Sequence, residues 1–352
     1  MKPIKAAIVS VEGKKLKDEE KSLIEKENPL GIALFVRNIE NPQQLKQLVR
    51  DIKTSAGRDD ILIAIDQEGG RVCRLSAPYW RAYAAQAAIG ALPIEQAKEA
   101  SRLHADLIAH DLQTLGINCD FAPVLDVATP NITSSIKSRC FSLDEKTTAV
   151  LGKVVFETLQ KNGILSCIKH LPGHSGALVD PHLHLPIIEH PDTKYFHPFQ
   201  ELSPKALMAM TAHIVLPEID SKPITMSNKA VKSLIRGDFG FKGILISDAL
   251  EMKALPGSLK EKTKATRKAG CDAVCYCRGD MDGLHEVLDN CGYLSDKNME
   301  VWQSISSLIQ APHRSRNLAA KNASYDDLMA QMPVIKEDYD AVEVLNKLYN
   351  KK

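Results

Sequence analysis

The 352-residue sequence lacks an excess of charge of either sign. Its 45 Lys and Arg offset 44 Asp and Glu, and the formal charge of +1 removes any global electrostatic case for nucleic acid or an anionic membrane as partner. Long apolar runs are missing too. The run at 6–11 holds six residues and stops at Glu12, too short for a signal-peptide core. No uncharged stretch approaches the roughly 18 apolar residues that cross a bilayer. A soluble, cytoplasmic protein is expected, acting as a monomer on a small molecule.

Paired cysteine spacing is absent as well. Cys73, Cys119, Cys140, Cys167, Cys271, Cys275, Cys277 and Cys291 are scattered, which argues against a disulfide framework and fits a reducing compartment. Cys275 and Cys277 would share one face of a strand, but a zinc site would need a second pair, so they read as buried thiols. Glycine- or serine-rich linkers, repeats and low-complexity segments are also lacking. One domain is the simplest organisation.

What is present is alternation. Eight short apolar or β-branched runs, at 6–11, 31–36, 61–65, 117–122, 163–168, 206–212, 243–246 and 272–277, are separated by helical stretches. Nearly continuous apolar runs suit a parallel sheet covered on both faces, and eight of them predict an α/β fold, a closed (β/α)8 barrel of the TIM type. Between Pro93 and Gly116 the apolar residues keep helical spacing, with the expected punctuation at each end. Further helices are predicted at 42–54, 145–161 and 229–236. The barrel is assigned to 1–284, and 285–352 to a helical, charged extension packed on it, with a Lys-rich tail expected to be disordered.

Polar residues fall where such a barrel would use them. Asp66, Gln67 and Glu68 follow the third run, Lys169 and His170 the fifth, His213 ends the sixth, and Ser247 and Asp248 follow the seventh. The carboxyl ends of barrel strands form the active-site face, so these groups should converge. Segment 169–186 carries four of the eleven histidines, and its glycines and prolines make it a loop able to close over a substrate. Within it, Asp180 can orient the His182 imidazole in a turn, giving a dyad that moves protons near neutral pH. A plain surface Asp–His contact is the competing reading. Asp248 can be a nucleophile, a metal ligand or a helix cap, although Ser247 is available to cap instead.

Five motifs then occur in order: Ile65-Asp-Gln-Glu-Gly-Gly-Arg-Val72, Asp120-Phe-Ala-Pro-Val-Leu-Asp-Val127, Arg139-x-Phe-Ser142, the segment 169–186 as KH-[FL]-P-G-H-x5-D-x-H-x-x-L-P, and Ser247-Asp248. From about residue 5 to 280 the chain resembles glycoside hydrolase family 3, specifically its bacterial single-domain β-N-acetylglucosaminidase branch. The resemblance implies a retaining glycosidase of peptidoglycan recycling, without metal or organic cofactor. In it Asp248 would be the nucleophile, His182 the general acid/base and Asp180 its partner. Asp66, Arg74, Arg139, Lys169 and His170 would hold the hydroxyl and acetamido groups of the terminal sugar. His213, also on the substrate side, and Asp126 match family motifs in supporting roles. The chain departs from the pattern at Leu171, Ser175, Pro181 and Ala249; Ser175 and Pro181 stiffen the loop.

Other readings remain open at this level. A metal-dependent amidohydrolase-like barrel could use His182 and His184 with Lys169, His170, His213 and Asp248, though its His-x-His would belong on an early strand. A non-catalytic sugar-binding barrel is another. A relative acting on glucosides, or passing the sugar to phosphate, is the closest.

Overall fold

A computed structural model describes residues 2–311 and 317–336, together with 339 and 344. The strands are β1 (Lys5–Ser10), β2 (Pro29–Leu34), β3 (Leu62–Ile65), β4 (Gln67–Gly69), β5 (Val72–Cys73), β6 (Cys119–Asp120), β7 (Leu165–Leu171), β8 (Met208–Thr211), β9 (Ile244–Ala249) and β10 (Ala273–Cys275). Eight of them close a barrel in the order β1-β10-β9-β8-β7-β6-β3-β2, and every neighbouring pair is parallel. This is the predicted (β/α)8 architecture. β4 and β5 form a small antiparallel hairpin outside it.

Period-two alternation sorts the strand residues. In β3, Leu62 and Ala64 join the barrel interior, while Ile63 and Ile65 pack outward among the helices. The interior continues through Cys119, Cys167, Met208, Met210, Ile244, Ile246 and Cys275. The eight thiols are unpaired, and all but Cys73 are buried.

The helix predicted after Pro93 is Ile94–Leu115, ended by Gly116 at φ 78°, a conformation that favours glycine. Glu145–Lys161 begins at Asp144, whose side chain accepts the Thr147 N–H, and Pro42–Ala56 begins at Asn41 with Pro42 in its first turn. The helix expected at 229–236 is Asn228–Ala230 continued by a wider π-type segment, Val231–Asp238.

Beyond the last strand lie the helices Met281–Asn290, Asp296–Ile309 and Leu318–Met329. Position 285 falls inside the first of these, whose Leu284, Val287 and Leu288 join the main core. Trp302 and Ile305 of the second enter the barrel's interior cluster at the amino ends of the strands, and the Trp302 indole donates to Asp60 at 3.2 Å. The Lys-rich tail lies outside the described residues.

Candidate active site

β7 and β9 run further than the apolar runs suggested, because polar side chains continue the ladder at their carboxyl ends. Lys169, His170 and Leu171 are the last three residues of β7, and Asp248 is the penultimate residue of β9. Period-two alternation continues inward from Ala64 to Asp66 and from Cys167 to Lys169. These two side chains meet across the barrel mouth, with Lys169 Nζ 2.7 Å from Asp66 Oδ1.

Around that contact lies a buried ionic network. Arg74 Nη2 is 2.9 Å from the other Asp66 oxygen, and Lys169 Nζ is 2.6 Å from Glu68 Oε1. Arg139 grips Glu68 with Nε and Nη2, both at 2.8 Å, the bidentate geometry that suits a guanidinium. Burial alone would push both carboxyls up. Lys169 and Arg74 outweigh it at Asp66, holding it well below the usual range, while Arg139 and Lys169 hold Glu68 at about 2. Burial works against the Lys169 and Arg139 charges too, and their carboxylate partners more than offset it, raising both. Two anions thus face three cations within this network, and the Asp126 carboxylate adds its charge beside Arg139.

Asp126 is saturated. Its Oδ1 accepts the backbone N–H of His174 at 2.6 Å and the ring Nδ1–H at 3.0 Å; its Oδ2 accepts the same two groups of His170 at 3.2 and 2.8 Å. Burial raises this carboxyl, but His174 and His170 overcome that and hold it far below the ordinary value. His170 turns its Nε2 toward Arg139 Nη2 at 3.3 Å. Gly173, at φ 121°, carries the chain between the two histidines; a Cβ there would lie 3.2 Å from the Phe199 ring.

Asp248 caps no helix. Turns follow it, and the next helix, Leu259–Ala269, is capped by Ser258. Ser247 is no cap either, since its hydroxyl accepts the Cys275 N–H at 3.0 Å and ties β9 to β10. Asp248 Oδ1 accepts the Ala249 N–H at 2.7 Å. Burial raises the Asp248 carboxyl, whereas His213, His170 and the Ala249 amide lower it by more, leaving it below the usual range.

His213 is fully buried. Its Nε2–H donates to the Ala249 carbonyl at 3.1 Å, and its Nδ1 accepts from Thr225 at 2.7 Å. Burial lowers it to about 4, so the ring is neutral. With both nitrogens engaged by the protein, it reaches the residue after Asp248 and offers none to a ligand.

The loop after β7 is anchored at several points, although Leu178 and Val179 at its middle are exposed. Ser175, where the family pattern has glycine, donates from its hydroxyl to Val127 O at 2.7 Å; Ala177 O accepts the Thr133 N–H, and Pro186 O accepts the Val215 N–H. Asp180 Oδ1 sits 2.7 Å from His182 Nδ1, and the His182 carbonyl accepts the Lys253 N–H at 3.1 Å. That last bond seats the dyad against the segment leaving β9, five residues after Asp248. Burial raises Asp180, but its bond to His182 and the charge there more than offset this and lower it.

Every residue singled out from the sequence therefore lies at the strand ends or in the loops leaving them. Glu68 and His174 were missed as site residues, although the run Asp66-Gln67-Glu68 and the Lys169-His170…His174 spacing both carried the signal. Gln67 is a staple: its Oε1 accepts the Arg74 and Leu75 amides and its Nε2 donates to Leu75 O, each at 3.0 Å.

Among the described residues, Asp126, His170 and His174 form the only group of three potential metal ligands close enough to share an ion. Four N–H groups already fill the Asp126 acceptor positions and the two Nδ1 atoms carry protons, so these atoms are spent on one another; the His174 Nε2 is buried without a hydrogen-bond partner. The set required by the amidohydrolase reading does not assemble: His184 is exposed, and His213 has no free nitrogen.

Residues 4–306 match the model of the glycosyl hydrolase family 3 N-terminal domain. A beta-hexosaminidase of Psychromonas ingrahamii is 34% identical over 298 residues, 82% of this chain and 86% of that protein. The crystal structure of native NagZ from Neisseria gonorrhoeae superimposes with a TM-score of 0.81 at 30% identity, covering 93% of this chain and 98% of that one. The same enzyme in complex with N-trifluoroacetyl-D-glucosamine gives 0.83 at 31% identity, with the same coverage. With the barrel, the strand-end network and these relatives in agreement, the chain belongs to glycosyl hydrolase family 3.

Proposed function

We propose that this protein is a retaining exo-β-N-acetylglucosaminidase in which Asp248 is the nucleophile, His182 the general acid/base and Asp180 its orienting partner. The observation that carries the reading is the seating of the Asp180–His182 pair, through the Lys253 N–H, against the segment that follows Asp248. Asp66, Arg74, Arg139, Lys169 and His170, joined by Glu68, would receive the hydroxyl and acetamido groups of the terminal sugar, which a neutral ring saturated with donors and acceptors can satisfy.

In the first step an Asp248 oxygen attacks the anomeric carbon while protonated His182 gives its Nε2 proton to the glycosidic oxygen. The C–O bond breaks and a glycosyl ester remains on Asp248. Asp180 keeps the ring oriented through Nδ1–H, so Nε2 is the atom that exchanges the proton. In the second step His182 takes a proton from water, the water oxygen attacks the anomeric carbon from the face vacated by the leaving group, and the ester bond breaks. Two inversions give net retention. Negative charge on Asp248 offsets the oxocarbenium-like transition state.

Beta-hexosaminidase relatives, and one bound to an N-acylated glucosamine, favour a terminal N-acetylglucosamine. We place that sugar on an anhydro-muramic acid peptide from peptidoglycan, processed in the cytoplasm during wall recycling by a monomeric enzyme. The test is to incubate the protein with aryl N-acetylglucosaminide and aryl glucoside, with and without phosphate. Free β-N-acetylglucosamine as first product is expected. A sugar 1-phosphate, or preference for the glucoside, would overturn the assignment.

A further inference from the structure

The helix Leu318–Met329 begins twelve residues after the family match ends and packs on Ile94–Leu115. Tyr325 is its one fully buried side chain among the described residues. The tyrosine hydroxyl lies 2.8 Å from His104 Nδ1, and the other ring nitrogen, Nε2, lies 2.9 Å from the backbone carbonyl of Glu68.

Proton accounting gives this chain a direction. A carbonyl only accepts, so His104 carries its proton on Nε2 and donates it to Glu68. Nδ1 is then a bare acceptor, and the Tyr325 hydroxyl donates to it while accepting the Ala84 N–H at 3.2 Å. Burial lowers His104 to about 4, which keeps the ring neutral as this pattern requires. Gly69 lies flush on the ring: with φ 107°, an added Cβ would fall 2.7 Å from His104 Cε1. The helix is also pinned from outside, because Arg81 bonds Asn322 and Asp326 and stacks 4.6 Å from the Tyr325 ring.

Glu68 is therefore held at both ends, its carbonyl by His104 and its carboxylate by Arg139 and Lys169. We propose that Tyr325, acting through His104, is a positioning residue for the terminal-sugar subsite, so that a helix beyond the family domain sets the placement of Arg139 and Lys169. The proposal rests on the reading that those two cations hold the sugar.

Tyr325→Phe keeps the packed ring and removes only the hydroxyl. It should raise both KM for an aryl N-acetylglucosaminide and the inhibition constant of N-acetylglucosamine about tenfold, with a smaller change in kcat. Asp326→Asn, which loosens the outer contact alone, should leave both constants unchanged. His104→Gln, able to donate from its amide to Glu68, should retain most of the affinity that His104→Leu loses. Unaltered constants in folded Tyr325→Phe would overturn the proposal. Nitrogen NMR of the wild-type protein decides it if that variant fails to fold: a His104 proton on Nε2 is required, and a proton on Nδ1 refutes the relay. Wild-type protein inert toward N-acetylglucosaminides would instead reject the function and leave the tautomer result standing.

Discussion

Two hydrogen bonds converge on a single oxygen between Asp180 and His182: Oδ1 accepts the ring Nδ1–H at 2.7 Å and the backbone N–H of the same histidine at 3.0 Å. The carboxylate thus fixes both where the residue sits and which way the ring turns. In the proposed mechanism Nε2 is then the atom that meets the leaving group.

His182→Ala should slow substrates with poor leaving groups on the order of 10²- to 10⁴-fold and activated aryl glycosides far less, since only the former need a proton. Asp180→Asn should follow the same pattern more weakly. A leaving-group series read as kcat/KM checks it, and equal losses across the series would argue that His182 only positions substrate.

Asp248→Ala should lower hydrolysis on the order of 10⁴-fold or more, with the melting temperature close to that of the wild type. External azide, small enough to enter the vacated space, should restore turnover with inverted product. Near-normal rates without azide would remove Asp248 from the chemistry.

Glu68→Gln takes from Arg139 its bidentate carboxylate and leaves Lys169 with Asp66 alone. A loss of about 3 kcal/mol in unfolding free energy is expected, because removing that carboxylate strands the buried guanidinium. Denaturant titration measures it. The same variant should bind N-acetylglucosamine poorly.

His104 and His213 are lowered by burial to about 4 in the folded protein, against about 6.5 when unfolded. Between those values these two histidines bind more protons in the unfolded chain, so their contribution to stability should fall as the pH drops below about 6.5 and level off near 4, while Asp120 and Glu251, raised by burial to about 7, work in the opposite direction over the same window. Glu68 acts in the next window. Its folded value of about 2 stabilises the protein above the ordinary glutamate range, a contribution lost as the pH falls toward 2. Melting temperatures across pH 7 to 3 test both, the His104 share being read as the difference between wild type and His104→Gln, which should lose stability less than wild type as the pH falls from 6.5 to 4.

The barrel was legible because a parallel sheet buried on both faces needs near-continuous apolar strands, and all eight appear in the sequence. Strand ends were harder. Lys169, His170 and Asp248 interrupt the apolar runs yet remain in β7 and β9, since the neighbouring strands supply their backbone partners. The Asp180–His182 dyad was visible because its partners are two residues apart. The relay from Tyr325 to Glu68 was not, as it joins positions 325, 104 and 68, whose proximity exists only after the C-terminal helix packs. Asp126 was seen only as a supporting motif residue; its fourfold role depends on the turn that brings His170 and His174 to one carboxylate.

The way the imidazoles near the barrel mouth are fixed has a consequence for proton traffic. His104, His170 and His213 each have both ring nitrogens engaged by protein atoms, and His174 keeps its remaining nitrogen out of solvent. His182, whose side chain is 33% exposed, keeps one nitrogen open. If His182 is the acid/base, as proposed, the site works as a single-channel device: each turnover would load and unload one exchangeable proton at one atom, with the neutral rings of His104 and His213 closed to it by their own hydrogen bonds.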